Sequence, residues 1–197
     1  MSMFYWNKIS NPILWTRASE AIYQVICKQL DRHTTIIEVG SGTGHISYLL
    51  AKAGHQVTLN DIRDESLKAS LEIYKQCGIT CQAIYGDLFK IGKKFEFLWN
   101  SGLIQCVTGP TRIKMIAKFA QIASKVLLFY PDTDSQEKIR GSNRRKIPGV
   151  DDAVEYSVKD VSELLNKYFE KVSLGELSAS SLHLPYKMYW ILGENLI

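Results

Sequence analysis

The stretch IIEVGSGTGHI, residues 36 to 46, decides the fold of this chain. It begins with the apolar, β-branched run that is typical of a buried strand. Glycine follows at positions 40, 42 and 44, where it lets the chain turn sharply and lets a ligand approach the bare backbone. From Ile46 the apolar residues recur at helical spacing until Gly54. The sequence therefore predicts a strand, a ligand-binding loop and a helix in succession.

The same alternation of strand and helix patterns continues along the chain. Four more strands are expected, in the segments HQVTLND, ITCQAIYGD, FEFLWNSG and KVLLFYP. Between them, Asp64 is expected to cap one helix, and Ile113 and Ile116 are expected on the buried face of another. Strands that alternate with helices at this spacing imply parallel strands joined by right-handed crossovers. We therefore expect an α/β fold whose doubly wound, mostly parallel sheet is flanked by helices.

The two ends of the chain extend this unit without adding a second one. Apolar residues at helical spacing predict an N-terminal helix within residues 1–34, and residues 131–156 are polar, basic and irregular. Ser157 and Asp160 form the capping-box pattern of a further helix. The segments FEKVSLGEL and YKMYWILGE then predict an antiparallel hairpin at the edge of the sheet. We expect one domain over residues 1–197, with 131–156 as a candidate substrate cap.

The composition is that of a soluble globular protein, with 46% hydrophobic and 22% charged residues. No apolar run approaches the roughly 18 residues of a membrane span, and the first residues lack a secretory signal. A cytoplasmic protein without membrane contact is therefore expected. The formal net charge of +4 permits an anionic substrate but does not demand nucleic acid, so a small-molecule partner is expected. The sequence does not predict an oligomeric state.

The four cysteines show neither a CxxC pair nor a matching histidine cluster. Their spacing therefore predicts no zinc or other metal site. We expect them to be free, mostly buried thiols, as is usual in the reducing cytosol.

The residues around the glycine loop resemble one family in particular. An acid, Glu38, stands two residues before Gly40, and His45 stands where the dinucleotide fingerprint GxGxxG would have its last glycine. The resulting EVGxGxG pattern resembles motif I of the class I S-adenosylmethionine-dependent methyltransferases. The resemblance implies a Rossmann-like fold and S-adenosyl-L-methionine as cofactor, with Glu38 helping to hold the methionine ammonium. The loop residues that it places beneath the methionyl and ribose groups are Gly40, Ser41, Gly42 and Gly44.

Two further acids follow in the order that this family shows. Asp61 ends the second strand, where the family's acid accepts hydrogen bonds from both ribose hydroxyls, and Ile62 would pack on the adenine. Asp87 and Leu88 follow the third strand, where the family contacts the adenine amino group and ring. The alternatives are that Asp61 caps a turn or helix and that Asp87 belongs to an ordinary turn.

The segment LWNSGLIQCV after the fourth strand is similar to the part of small-molecule methyltransferases that lines the methyl-donor side. Asn100 would then lie near the methionyl group and Gln105 near the reaction centre. Because Gln105 stands where a glutamate is often found, neither a catalytic base nor a metal ligand is predicted there. No catalytic residue is assigned.

Four more residues are candidates for the substrate site, together with Gln105. Tyr5 and Trp6 would close over the cofactor or substrate, Arg140 in the basic segment would attract an anion, and His183 would point in from the hairpin connection. Each has a plain structural alternative. The aromatic residues would staple the first helix to the sheet, and the other two would face solvent.

These patterns predict a methyltransferase that transfers a methyl group from S-adenosylmethionine to a small acceptor, with an anionic one permitted. Two alternatives stay open. One is an RNA or protein methyltransferase that holds a polymer with the basic segment, and this is disfavoured because the chain has no second basic run. The other is a protein that binds S-adenosylmethionine without turnover.

Overall fold

A seven-stranded sheet forms the centre of the computed structural model, which describes residues 17–107, 109–131, 157–182 and 187–197. The strands are β1 (Thr35–Val39), β2 (Gln56–Asp61), β3 (Gln82–Tyr85), β4 (Phe95–Ser101), β5 (Ala123–Pro131), β6 (Phe169–Leu177) and β7 (Met188–Leu196). The helices are α1 (Arg17–Cys27), α2 (His45–Lys52), α3 (Asp64–Gln76), α4 (Gly109–Ile122), α5 (Val158–Leu165) and α6 (Ala179–Leu182). Two short 3-10 turns lie at Leu88–Lys90 and Ile104–Cys106.

The order of the strands indicates where on the sheet a ligand would bind. From edge to edge the order is β3-β2-β1-β4-β5-β7-β6, and the first five strands run parallel. β7 runs antiparallel to both β5 and β6, which confirms the predicted terminal hairpin. The winding reverses between β1 and β4, and in sheets of this kind a ligand binds in the crevice beyond the carboxyl ends of the strands at the reversal. The glycine loop lies there.

Helices cover both faces of the sheet and give it two apolar cores. The core beneath α4 and α5 contains Ile37, and the core beneath α1, α2 and α3 contains Ile36. These neighbours on β1 point to opposite faces, as alternate residues of a strand must. Burial on both faces explains why β1 is an almost continuous apolar run rather than an alternating one.

The helix ends confirm one expectation and correct two. Ser157 and Asp160 form the predicted capping box, with the Ser157 hydroxyl accepting from the Asp160 N–H. Asp64 is not the cap of α3 but its first residue, where its negative charge interacts favourably with the positive end of the helix dipole. Ile113 was expected inside α4 but is 41% exposed, because Arg112 takes the buried position beside it.

Several expectations concern the ends and connections of the chain. The predicted N-terminal helix is seen as α1, while residues 1–16 and 132–156 lie outside the described residues. The hairpin connection contains α6, which the sequence did not predict. All four cysteines are free, but Cys77 and Cys106 are exposed and Cys27 and Cys81 are only partly buried, so the expectation of mostly buried thiols is wrong. Within the described ranges, no helix is both long and apolar enough to cross a membrane.

Candidate functional site

The glycine loop is built around three left-handed backbone positions. The φ angles of Gly40, Gly42 and Gly44 are 67°, 54° and 61°, a region that residues with a side chain rarely adopt. The Ser41 N–H donates to the Asn60 carbonyl at 2.9 Å, which ties the loop to β2. The loop is therefore an ordered part of the sheet edge.

The three glycines serve two different purposes. A Cβ on Gly44 would lie 2.9 Å from Leu59 Cδ1 and 3.0 Å from the Tyr74 hydroxyl oxygen, so the core fills the space beside it. A Cβ on Gly40 would lie 3.2 Å from Leu103 Cδ2. Gly42 faces open space, with only an Arg63 nitrogen at 4.0 Å. Gly40 and Gly44 thus permit close packing, whereas Gly42 leaves bare backbone for a ligand.

Two side chains of α3 fasten the loop from below. The buried Tyr74 hydroxyl donates to the Gly44 carbonyl, and the Ser70 hydroxyl lies 3.4 Å from the Gly42 carbonyl. Burial raises the pKa of Tyr74 well above its usual value, so the hydroxyl keeps its proton. Helical spacing in the sequence indicated Tyr74 as a core residue, but it gave no sign of this hydrogen bond.

Asp61 ends β2 as predicted and is only 5% exposed. Its Oδ2 accepts from the Gly42 N–H at 2.8 Å, and its Oδ1 accepts from the Arg63 N–H at 3.0 Å. Arg63 also contacts Oδ1 through Nε at 3.3 Å. Asp61 therefore does make turn contacts, and the same contacts fix its carboxylate at the mouth of the crevice. Ile62 beside it is 75% exposed and free to cover a flat ligand.

Glu38 lies near the end of β1, almost fully buried, and its Oε2 has no hydrogen-bond partner among the described residues. Burial raises the pKa of Glu38 to about 8, the nearby Ser47 hydroxyl opposes this rise, and the charge of Asp61 adds to it. A buried carboxyl group without a partner is costly. A cation that entered the crevice would stabilise the ionised form of Glu38.

Unpartnered buried atoms mark the crevice more widely. Buried polar groups in folded proteins nearly always have partners, and each exception needs an explanation. The described residues contain seven such side-chain atoms, and four belong to residues that the sequence assigned to the site. They are Glu38 Oε2, Ser41 Oγ, Asn100 Oδ1 and Gln105 Oε1. The Asn100 and Gln105 oxygens are acceptors, the Ser41 hydroxyl can accept, and Glu38 Oε2 accepts once Glu38 is ionised, so the set suits a ligand that carries hydrogen-bond donors.

Contacts between the loops show that these four residues belong to one region. The Asn100 amide donates to the Val39 carbonyl at 2.6 Å, which joins β4 to β1 just before the glycine loop. Leu103 packs on Gly40, and Gln105 follows two residues later in the 3-10 turn. The glycine loop and the segment after β4 therefore form opposite walls of the crevice.

The turn after β3 contains Asp87 and Leu88, which the sequence assigned to the adenine, and their side chains point in different directions. Asp87 is exposed and accepts from the Phe89 N–H at 2.9 Å, so it caps the short turn that follows. The Gly86 N–H donates to the Asp61 carbonyl at 3.0 Å, which places this turn beside the end of β2. The Leu88 side chain lies in the core, so a ligand contact by Leu88 would come from its main chain.

Arg112 and His45 are site neighbours whose contacts the sequence did not reveal. Arg112 is fully buried and holds the turn after β4 through carbonyls of that turn. His45 lies 3.0 Å through Nε2 from the Ser19 hydroxyl, which links α1 to the start of α2, and burial lowers the pKa of His45. The sequence places Arg112 at helical spacing with Met115, Ile116 and Phe119, and this pattern could have indicated that Arg112 is buried.

The remaining substrate candidates cannot be placed in the site. Tyr5, Trp6, Arg140 and His183 all lie outside the described residues. Their assignment to the substrate site stays a prediction from the sequence. Gln105 is the one substrate candidate that lies within the described residues, and it lies in the 3-10 turn two residues after Leu103.

Comparisons with known proteins identify the family. A family model described as a methyltransferase domain matches residues 30–167, which is more than half of the chain. Comparison with curated protein sequences gave no match.

Solved structures show the same fold at low sequence identity. Magnesium protoporphyrin IX methyltransferase from Synechocystis PCC 6803 is 17% identical, with 91% of this chain and 83% of that chain covered and a TM-score of 0.71. The PH0226 protein from Pyrococcus horikoshii OT3 is 17% identical, with 98% and 92% covered and a TM-score of 0.72. An S-adenosylmethionine-dependent methyltransferase from Methanosarcina mazei is 16% identical, with 88% and 97% covered and a TM-score of 0.67. The likeness confirms the Rossmann-like methyltransferase fold, and the family match shows that this chain belongs to the methyltransferase domain family.

Proposed function

We propose that this protein transfers a methyl group from S-adenosyl-L-methionine to a small acceptor. The formal net charge of +4 permits this acceptor to be an anion. The observation that carries the proposal is the set of unpartnered buried atoms on Glu38, Ser41, Asn100 and Gln105. Four residues chosen from the sequence as parts of one site all present polar atoms that have no hydrogen-bond partner within the described part of the chain. A ligand with an ammonium group and hydroxyl groups would satisfy them.

Each part of the cofactor has a matching part of the crevice. Glu38 and Asn100 would hold the methionine half, and the bare backbone at Gly42 would let the chain pass close beneath it. The Asp61 carboxylate would accept from ribose hydroxyls, since Oδ2 accepts only the Gly42 N–H and retains a lone pair, and the Arg63 Nε at 3.3 Å from Oδ1 is the end of a long side chain that a ligand hydroxyl could displace. The exposed face of Ile62 would cover the adenine. Magnesium protoporphyrin IX methyltransferase, which has the same fold, was crystallised with bound S-adenosylhomocysteine, and this supports the assignment.

The bound sulfonium supplies an activated methyl group, so the protein contributes mainly alignment and the exclusion of water. Gly40 and Leu103 close the two walls of the crevice on one another, which limits the space around the methionine half. Holding donor and acceptor within about 3 to 3.5 Å in line would supply most of the rate enhancement. Gln105 is neutral, so a hydrogen bond to the acceptor, rather than proton abstraction, is its proposed role.

The proposal is tested by incubating the protein with radiolabelled S-adenosylmethionine and a library of small carboxylates, phenols and amines. We expect label to move from the cofactor to at least one small acceptor and not to RNA or to a denatured protein mixture. Transfer to RNA or protein would instead support the polymer-modifying alternative. Tight cofactor binding without transfer to any acceptor class would support the non-catalytic alternative.

A further inference from the structure

Arg112 is the one fully buried charged side chain among the described residues. It lies on α4, whose neighbouring buried positions are apolar, and no ligand-facing role accounts for it. Keeping a guanidinium group away from water is costly unless its N–H groups find good acceptors. The acceptors that it uses therefore indicate what Arg112 does.

Two of those acceptors belong to the turn after β4. Arg112 Nε donates to the Ile104 carbonyl at 3.0 Å, and Nη2 donates to the Val107 carbonyl at 3.0 Å. A rigid planar fork that binds two carbonyls three residues apart fixes both the position and the orientation of the turn between them. Gln105 lies between these two carbonyls.

The same turn touches the glycine loop. Leu103 immediately precedes it, and Leu103 Cδ2 and Cβ would lie 3.2 and 3.3 Å from a Cβ on Gly40. The chain enters the turn at Gly102, whose φ is 91°. Because glycine can adopt many backbone conformations, other contacts must hold the turn in one position. A contiguous set of contacts thus runs from Arg112 through the turn to Gly40.

We infer that Arg112 is a positioning residue, which holds the turn at 103–107 against the glycine loop and thereby shapes the methionine half of the cofactor site. Arg112 does not touch the cofactor, and its effect passes through Leu103 and Gly40. The adenosine half depends on Asp61 and on the turn after β3, whereas the Ile104 and Val107 carbonyls that Arg112 binds lie in the turn after β4. The inference rests on the proposed function, because it assigns Gly40 to the methionine half.

Two ligands separate this role from a general structural one. S-adenosylhomocysteine contains both halves, whereas 5′-methylthioadenosine lacks the amino acid half. Calorimetry should show that Arg112→Lys, which keeps the charge but loses the fork, raises the Kd for S-adenosylhomocysteine about tenfold. The Kd for 5′-methylthioadenosine should change less than about twofold. Amide hydrogen exchange at residues 103–107 should become faster.

Asn60→Ala is the matched control on the other half of the site. The buried Asn60 amide also donates to two carbonyls, those of Ile84 at 2.8 Å and Gly86 at 3.2 Å. Its loss should raise both dissociation constants in parallel. The contrary result is that Asn60→Ala weakens S-adenosylhomocysteine alone, as is expected of Arg112→Lys. Selective weakening of that ligand would then not depend on which half of the site is altered, and the inference would be wrong.

Leu103→Ala covers the case in which Arg112→Lys does not fold. It leaves Arg112 intact and removes the contact with Gly40, so we expect the same selective loss of S-adenosylhomocysteine. Equal weakening of both ligands in either variant, or no weakening in either, would overturn the inference. Failure of the proposed cofactor site is a separate result, because the unaltered protein would then bind neither ligand. Failure of methyl transfer alone is seen in the transfer assay and leaves this binding comparison intact.

Discussion

Asp61 joins the end of the second strand to the middle of the glycine loop, because its Oδ2 accepts a hydrogen bond from the Gly42 N–H at 2.8 Å. The same carboxylate is the predicted acceptor for ribose hydroxyls. One side chain therefore both shapes the loop and lies ready for the ligand. The turn contacts of Asp61 are thus compatible with its predicted role in binding the ribose.

We predict that Gly44→Ala destabilises the protein more than Gly78→Ala does. Both glycines have positive φ, 61° and 69°, so both substitutions add similar backbone strain. A Cβ on Gly44 would overlap Leu59 and Tyr74, whereas nothing lies within 4 Å of one on Gly78. Overpacking of this kind costs about 1 to 3 kcal/mol. Urea unfolding measures the difference, and equal losses of stability would show that the loop can move away from Leu59.

Tyr74→Phe should lower the free energy of unfolding by about 1 to 3 kcal/mol, because the buried Gly44 carbonyl loses its donor. Tyr85→Phe is the control, since that residue is 45% exposed at the edge of the sheet. We expect it to change stability by less than about 0.5 kcal/mol. Chemical unfolding of both variants checks the pair. A loss as small for Tyr74 as for Tyr85 would argue against a stabilising bond.

Stability should depend on pH through Glu38. With a folded-state pKa of about 8, Glu38 holds a proton in the folded protein between about pH 4.5 and 8 and loses it on unfolding. The free energy of unfolding should therefore fall as pH rises through that window, by up to about 1.4 kcal/mol per pH unit. Glu38→Gln should remove this part of the slope. A stability difference between the two proteins that does not vary from pH 5 to 8 would contradict the raised pKa.

Binding of S-adenosylhomocysteine should release a proton from Glu38. Near pH 7 the carboxyl group is mostly protonated in the free protein, and the ligand's ammonium group would favour its ionised form. Calorimetry in buffers of different ionisation enthalpy counts the protons released. We expect close to one at pH 7 for the natural protein and close to none for Glu38→Gln. Equal proton release by both proteins would place the titrating group elsewhere.

The parts of this protein that the sequence revealed are those set by local chemistry. The glycine loop, Glu38 and Asp61 could be predicted because closely spaced glycines directly after a strand, with acids near the ends of two successive strands, form one ordered pattern along the sequence. The capping box of Ser157 and Asp160 could also be predicted from the sequence, because both partners lie within one helical turn.

The parts that the sequence concealed depend on contacts between distant segments. The hydrogen bond from Tyr74 to Gly44 joins residues 30 positions apart, and no local pattern records it. Arg112 was not predicted to be buried, since charged side chains usually face solvent. Ile113 was placed on the buried face by its helical spacing with Ile116, but Arg112 takes that position instead. Asp64 was misplaced by one position because Arg63, with extended backbone angles, begins the helix without a side-chain cap.

Calorimetric titration with S-adenosylhomocysteine tests the central claim most directly. We expect the natural protein to bind one equivalent in the micromolar range, and Asp61→Ala to bind at least about tenfold more weakly through loss of the ribose contacts and of the bond to Gly42. The absence of detectable binding to the natural protein would contradict the assignment of this crevice as a cofactor site.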